Sequence, residues 1–439
     1  MLTLSKVLRL SSDPRLAFVG AGGKTTAIFQ LARQLAKPVI VTATTHLGAW
    51  QTTLADRHVI VETSGQLESL DLSPNEVILI TGSPEGDRLK PISSDLINWL
   101  RARCDQDHLP LLIEADGSRQ KPLKAPAVHE PPLPEFVDTV VVVAGLSALG
   151  KPLTEEWVHR PEIFQRLCNA HSGDPITPEM MACVLTNPNG GLKNIPGSAR
   201  RVALLNQADT PNTQSKASAL ADLLLPTYKT VLISSLQQET ILLAREPTAG
   251  ILLAAGESRR FGQPKQMLEW HGQTFIQAVA RAGLAAGLNP LIVVTGSNAE
   301  QVEQALVDLP VQIVRNQEWQ AGQSSSIRAG LEALPNETGA AIFLLADQPQ
   351  VTPTIIRALV EQHAEDLSSI LAPLIIDRRG NPVLFDRVTF PDLLKLKGDV
   401  GGRDLFSKYN VTYLPWHDDS LLLDVDTPEM YQRLKDTQE

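Results

Sequence analysis

Short apolar runs recur along the chain: LAFVG (16–20), PVIVTATT (38–45), EVILITG (76–82), PLLIEAD (110–116), TVVVVAG (139–145), RVALLNQ (201–207) and TVLIS (230–234). Runs this short and this continuously apolar predict strands buried on both faces, because half-exposed strands would alternate apolar and polar positions. Between several of them lie segments with helical spacing, such as TTAIFQLARQLA (25–36), closed by Lys37 or Pro38. Strands alternating with helices predict an α/β fold with a mostly parallel sheet, whose ligands bind beyond the carboxyl ends of the strands.

The pattern restarts near residue 248 with AGILLAAGESRRFGQPK, a strand followed at once by a glycine- and cation-rich loop. PLIVVTG (290–296), AAIFLLAD (340–347), SILAPLII (369–376) and LLLDVD (421–426) are the strands expected after it. Two α/β series, each opening on its own phosphate-type loop, predict two domains, 1–246 and 247–439, with the boundary near 244–249. LTNPNGGLKNIPGSAR (185–200) reads as a turn-rich loop inside the first.

Composition narrows the function classes. Hydrophobic residues make up 43% of the chain, enough for sizeable cores, which excludes disordered and fibrous architectures. The net charge of −10 repels phosphate backbones, so no nucleic-acid partner is expected and any anionic ligand needs a local cationic pocket. Cys104, Cys168 and Cys183 form no CxxC pair, which excludes a disulfide framework or a Cys-rich zinc site. Lys6 and Arg9 interrupt the weakly apolar start, and no run approaches the ~20 residues of a membrane helix. A cytoplasmic protein with no membrane partner is expected.

Gly20-Ala21-Gly22-Gly23-Lys24-Thr25-Thr26 sits between the first strand and a helix, where a phosphate loop belongs. Glycines let backbone N–H groups turn toward an anion, Lys24 neutralises phosphate charge, and Thr25 can ligate Mg²⁺. The longer spacing GxxxxGK[ST] would need glycine where Phe18 stands; the shorter GxxGKTT is matched, and Mur-type ligases use a similar one. Asp116, at the end of PLLIEAD, is the candidate carboxylate on the magnesium side, and Thr44, Thr45 and His46 end the second strand where they would face a nucleotide. Asn206-Gln207-Ala208-Asp209 reads either as a surface turn or as a relative of the NKxD base-reading motif of GTPases. An N-terminal P-loop-like domain binding ATP or GTP is the expectation.

IEADGSRQKPLKAP (113–126), HEP (129–131), GLSALGKPL (145–153) and VHRPE (158–162) together resemble the YqeC family over about residues 10–236. That resemblance implies an accessory role for a selenium-dependent molybdenum hydroxylase, with the apo-hydroxylase as a partner. Lys121, Lys124, His129, His159 and Arg160 are expected to form a cationic pocket for an acidic ligand.

The loop Leu253-Ala254-Ala255-Gly256-Glu257-Ser258-Arg259-Arg260-Phe261-Gly262-Gln263-Pro264-Lys265 carries the most specific pattern, LAAGxSxRxGxPK. Ala-Ala-Gly lets the backbone approach a nucleotide, while Arg260 and Lys265 supply charge for a triphosphate. Asp347 ends the AAIFLLAD strand and is the expected Mg²⁺ ligand; Asp424 and Asp426 end LLLDVD, and Asp426 is favoured as the second ligand. These residues resemble the MobA-like nucleotidyltransferases, nearest the MocA-type cytidylyltransferases, over about 249–437, including Gly322-Gln323-Ser324-Ser325-Ser326, ADQPQVT (346–352), RGNPVLF (379–385), GDVGGR (398–403) and LDVDTPE (423–429).

The resemblance implies a Rossmann-like fold and CMP transfer from CTP to molybdopterin-bound molybdenum. Arg260, Lys265 and Asp347 would be catalytic, Leu253–Gly256 with Gly322 and Ser326 would enclose the nucleotide, and Asn381, Asp399, Gly401 and Arg403 would face the pterin. Ala-Ala-Gly matches the CTP branch, whereas the GTP branch carries Ala-Gly-Gly. A cofactor-binding chaperone, a guanylyltransferase and a sugar-1-phosphate nucleotidyltransferase are the alternatives.

Overall fold

The computed structural model describes residues 2–36, 38–72, 75–257, 261, 263–423, 425 and 427–436, and the chain divides into two compact units, Met1–Arg245 and Glu246–Glu439. The first unit is built on β1 (Arg15–Gly20), β2 (Val39–Ala43), β3 (Arg57–Ile60), β4 (Val77–Thr81), β5 (Leu111–Glu114), β6 (Thr139–Gly145), β7 (Arg200–Asn206), β8 (Thr230–Ser235) and β9 (Thr240–Arg245). They form one sheet in the order β9-β8-β7-β6-β1-β5-β2-β4-β3, parallel throughout except for β9.

Every residue of β2, β4, β5 and β6 is buried, as expected for strands covered on both faces. Helix α1 (Lys24–Gln34) lays Ala27, Ile28, Leu31 and Ala32 into the core, one stripe at helical spacing. Helices α2 (Pro178–Leu185) and α3 (Pro211–Leu224) begin with proline behind a threonine. The hydroxyls of Thr177 and Thr210 accept the N–H groups of Met180 and Thr213, so cap and proline together set where these helices start. β1 lies between β5 and β6, which brings the loops leaving Gly20, Glu114 and Gly145 to one edge of the sheet.

The second unit contains β10 (Thr248–Ala254), α4 (Phe275–Ala285), β11 (Leu291–Thr295), β12 (Gln312–Arg315), α5 (Gln323–Glu332), β13 (Ala340–Leu345), α6 (Pro353–Asp366), β14 (Ile370–Ile375), β15 (Arg378–Arg379), β16 (Val383–Asp386) and β17 (Val411–Pro415). The sheet order is β12-β11-β10-β13-β16-β14-β15, with β17 parallel to β14. β16 is antiparallel to both neighbours, making this a mixed sheet.

LLLDVD was expected as a strand, and here the structure differs: Asp419–Leu422 is a 3₁₀ turn. Leu421 enters the core, and the Gln350 side-chain amide donates to the carbonyls of Ser420 (3.2 Å) and Leu423 (2.8 Å), so those carbonyls are satisfied by a side chain in place of a ladder. Among the described residues, no helix is long and apolar enough to cross a membrane.

Candidate functional site

In the first unit the turn after β1 depends on glycine. Gly20, Gly22 and Gly23 have φ of +95°, +84° and +130°, and a Cβ on each would lie 2.2 Å from the Val143 carbonyl oxygen, 2.5 Å from Gly145 Cα and 2.3 Å from Asn206 Nδ2. The Lys24 ammonium is buried; it donates to the Gly20 carbonyl (2.6 Å) and pairs with Asp116 (3.2 Å). Both Asp116 oxygens accept the Gly20 N–H, at 3.1 and 3.0 Å. Asp116 therefore holds the loop and its lysine.

The carboxylate that meets Thr25 is a different one. Thr25 Oγ1 donates to Glu114 Oε2 at 3.0 Å, and burial pushes the Glu114 carboxyl above its usual range. Sequence reasoning passed over Glu114. The available signal was the strand period, since residues two apart on PLLIEAD share a face. Thr26 is exposed at the mouth of the loop. The Thr44 N–H donates to the Glu114 carbonyl (3.1 Å), and the buried hydroxyls of Thr44 and Thr45 meet no partner among the described residues. His46 stands apart in an exposed contact with Glu85.

Asn206 is neither a surface-turn residue nor a free base reader. It is buried, donates to the Gly22 carbonyl (2.7 Å), and accepts from Ser234 Oγ (3.2 Å) and the Leu236 N–H (2.9 Å). Those bonds make it the strut that closes the glycine loop. Gln207 and Asp209 are tied to Ser147 and Ser235.

The five cationic candidates do not share one pocket. Lys124, 2% exposed at its side chain, pairs with Asp116 and Glu130 at 2.9 Å each, and Arg160 grips Glu130 bidentately at 2.7 and 2.9 Å. Burial pushes the Glu130 carboxyl up, but hydrogen bonds from Arg160 and Lys124 outweigh it and hold the group at about 2. His159 is pushed down to about 4 by burial and then by the charges of Arg160 and Lys124, so it is neutral at pH 7. Lys121 reaches the Glu156 carbonyl, and His129 is exposed.

In the second unit, an open cleft lies beyond the carboxyl ends of β10 and β13. Leu253, Ala254, Ala255, Gly256, Lys265, Gly322, Ser326, Asp347 and Asp399 all line it. Lys265 Nζ stands 3.9 Å from an Asp347 oxygen, and the Asp347 side chain is 40% exposed, open to a ligand. Buried Gln266, which sequence reasoning missed, donates to the carbonyls of Ala254 (3.3 Å) and Gly256 (3.2 Å) and so sets the loop's path. Arg260, Asp424 and Asp426 lie outside the described residues.

A second cavity shares Leu253, Gln323 and Leu345 with the first and is walled by Phe343, Phe385 and Phe406. Asn381, Gly401 and Arg403 line it, while Asp399 lines the first cavity. Gly322 (φ +99°) permits this junction, because a Cβ there would lie 2.6 Å from the Asp399 backbone. The Gln323 N–H donates to Asp399 Oδ1 (3.3 Å) and Ser324 Oγ donates to the Gly398 carbonyl (2.6 Å), docking the 398–403 loop on the start of α5.

As for metal binding, no cluster of three or more His, Cys, Asp or Glu ligands occurs among the described residues. The exposed Asp347 carboxylate at the cleft suits a hard divalent cation such as Mg²⁺, which takes one or two carboxylates plus substrate phosphates and water.

Comparison with known proteins places both units. The family model for the YqeC protein matches residues 16–162, and that for the MobA-like NTP transferase domain matches residues 250–413. The uncharacterized protein YqeC of Escherichia coli (strain K12) is 32% identical over 44% of this chain and 75% of its own length. The nicotine blue oxidoreductase of Paenarthrobacter nicotinovorans is 32% identical over 42% of this chain and 95% of its own length. The chain belongs to the YqeC family, and its second unit carries a MobA-like NTP transferase domain. A probable molybdenum cofactor guanylyltransferase of Bacillus mycoides (strain KBAB4) is 29% identical over 42% of this chain and 93% of that protein. The MobA-like unit is thus a nucleotidyltransferase-family domain related to molybdenum cofactor guanylyltransferases.

Proposed function

We propose that the MobA-like unit transfers CMP from CTP to the terminal phosphate of molybdopterin carrying molybdenum, releasing pyrophosphate and forming molybdopterin cytosine dinucleotide. The observation that carries this reading is the pair of joined cavities. One gathers the Leu253–Gly256 turn, Lys265 and Asp347; the other presents three phenylalanines with Asn381 and Arg403. A nucleotide in the first and a flat heterocycle with an anionic tail in the second would meet at Leu253, Gln323 and Leu345.

Lys265 and Arg260 would hold the triphosphate and take up charge developing on the leaving pyrophosphate. A substrate phosphate oxygen forms the new bond to the α-phosphorus; the bond from that phosphorus to the bridging oxygen breaks, and its electron pair leaves with pyrophosphate. The attacking phosphate is already ionised, so no general base is assigned. Asp347, with Asp426 as the proposed second ligand, would hold Mg²⁺, which when bound would supply charge neutralisation on the phosphates. CTP is preferred over GTP on the strength of Ala255; GTP is the alternative, as the names of the guanylyltransferase relatives require.

For the YqeC unit we propose ATP or GTP binding at the Gly20–Thr26 loop, with Glu114 joining Thr25 on the metal side. This binding would serve delivery of the finished cofactor to a molybdenum hydroxylase apo-enzyme in the cytoplasm. The similarity to nicotine blue oxidoreductase favours a second reading, in which the joined cavities serve an oxidoreductase. Pyrophosphate release is the discriminating test. Asp347→Ala is expected to cut it at least a hundredfold, as loss of a central electrostatic group does, and wild-type turnover in that variant would refute the assignment. Oxidoreductase turnover without pyrophosphate release would favour the second reading.

A further inference from the structure

We propose that Trp319 is the wall on which the nucleobase stacks, and that Gly296 is the residue that lets it stand there; this rests on the nucleotidyltransferase reading of the same cleft. Of the six tryptophans in the chain, Trp99, Trp157, Trp270 and Trp416 pack in or against a hydrophobic core and Trp50 is exposed. Trp319 joins no core cluster among the described residues, yet it is half-buried and lines the cleft with the Leu253–Gly256 turn. A large aromatic side chain on a cleft wall outside the core offers a ligand a flat apolar face.

Its position next to the turn follows from Gly296. A Cβ at Gly296 would lie 2.8 Å from Ala255 Cβ, 2.8 Å from the Ala255 carbonyl oxygen and 2.8 Å from Trp319 Cβ. The bare Gly296 backbone is therefore the floor against which Ala255 and Trp319 both close. The Ser297 N–H fixes the arrangement by donating to the Ala255 carbonyl at 3.2 Å. Buried Asn316 donates from its side-chain NH₂ to Ser325 Oγ (2.8 Å) and Ser326 Oγ (3.0 Å), and its side-chain Oδ1 accepts the Glu318 N–H (2.9 Å). That network anchors the turn carrying Trp319 to the start of α5, so the ring is presented on a braced element.

Stacking acts on every base, whereas the edge contacts of the Ala255 turn select among bases. The two functions can therefore be separated. The test titrates the full chain calorimetrically in Mg²⁺ with CTP, GTP and inorganic tripolyphosphate, each also in a Lys24→Ala background that removes the loop cation of the first unit. Trp319→Ala is expected to weaken CTP and GTP alike by about tenfold to a hundredfold while leaving tripolyphosphate, which has no base, within about twofold. Trp319→Phe keeps a ring and should bind CTP within about threefold of wild type. Gly296→Ala, which drives Ala255 and Trp319 apart, should weaken CTP with Trp319 still present.

CTP binding by Trp319→Ala at wild-type strength would overturn the proposal. So would equal losses for CTP and tripolyphosphate, which would mark a merely structural residue. If the Lys24→Ala chain with Trp319 intact bound no nucleoside triphosphate at all, the nucleotidyltransferase reading itself would fall, an outcome distinct from both.

Discussion

Replacing Glu130 with glutamine removes one charge from a buried ionic chain while keeping the side chain's shape. Lys24 shares Asp116 with Lys124, and Lys124 shares Glu130 with Arg160. Arg160 directs two N–H groups at Glu130 (2.7 and 2.9 Å), and Lys124 directs a third at 2.9 Å. A glutamine offers one acceptor oxygen and turns an NH₂ group toward donors that already point inward. Breaking a buried pair by removing one partner costs about 3–5 kcal/mol. Lys124 keeps Asp116 at 2.9 Å and the Gly117 carbonyl at 2.8 Å, which places this case at the low end. About 3 kcal/mol corresponds to roughly 6–12 °C in Tm for a unit of this size.

Differential scanning calorimetry of the full chain at pH 7 would measure it, with exposed Glu135→Gln as the control expected to stay within about 0.5 kcal/mol. The pH dependence has a definite sign. Glu130 sits at about 2 in the fold against an ordinary 4.5, so its stabilisation is present above pH 4.5 and is lost as pH falls toward 2. Wild type and Glu130→Gln should therefore converge over that window. A shift for Glu130→Gln no larger than for Glu135→Gln, or one that persists unchanged at pH 2, would refute the reasoning.

His159 sits at about 4 against an ordinary 6.5, so the fold excludes a proton that the unfolded chain accepts. Stability of the YqeC unit should fall as pH drops from 6.5 toward 4, by roughly 1–2 kcal/mol once solvent screening is allowed for, and His159→Phe should flatten that slope in urea titrations. Ala255→Gly should raise the GTP-to-CTP ratio of kcat/KM by about tenfold, a pocket change of one methyl group, and an unchanged ratio would remove Ala255 from base selection.

The strands legible in the sequence are those whose neighbours bury both faces. TVVVVAG reads as a strand because β6 lies between β1 and β7 with every residue buried. β3 and β12, at sheet edges with half-exposed patterns, gave no such signal, and VLFD is only four residues long. At the first site the glycine loop was legible because its spacing encodes backbone conformation. Its carboxylate partner was not, since choosing between Glu114 and Asp116 requires knowing which side chain points at Thr25. Asn206 shows the same limit: a polar residue at a strand end looks alike whether it closes a loop or reads a base, and only the position of Gly22 separates the two. In the second unit the acceptor-side residues are scattered over about twenty positions of chain, and the folding of the 398–403 loop onto α5 brings Gly401 and Arg403 to the cavity of Asn381 while Asp399 falls on the neighbouring cleft.

The central claim is tested most directly by incubating the full chain with Mg²⁺, molybdopterin carrying molybdenum, and CTP, GTP or ATP in separate reactions, then measuring pyrophosphate and identifying the product by mass. A cytosine dinucleotide formed with CTP is the predicted result. A guanine dinucleotide formed with GTP in its place would keep the reaction and overturn the base assignment, and no dinucleotide with any nucleotide would contradict the account.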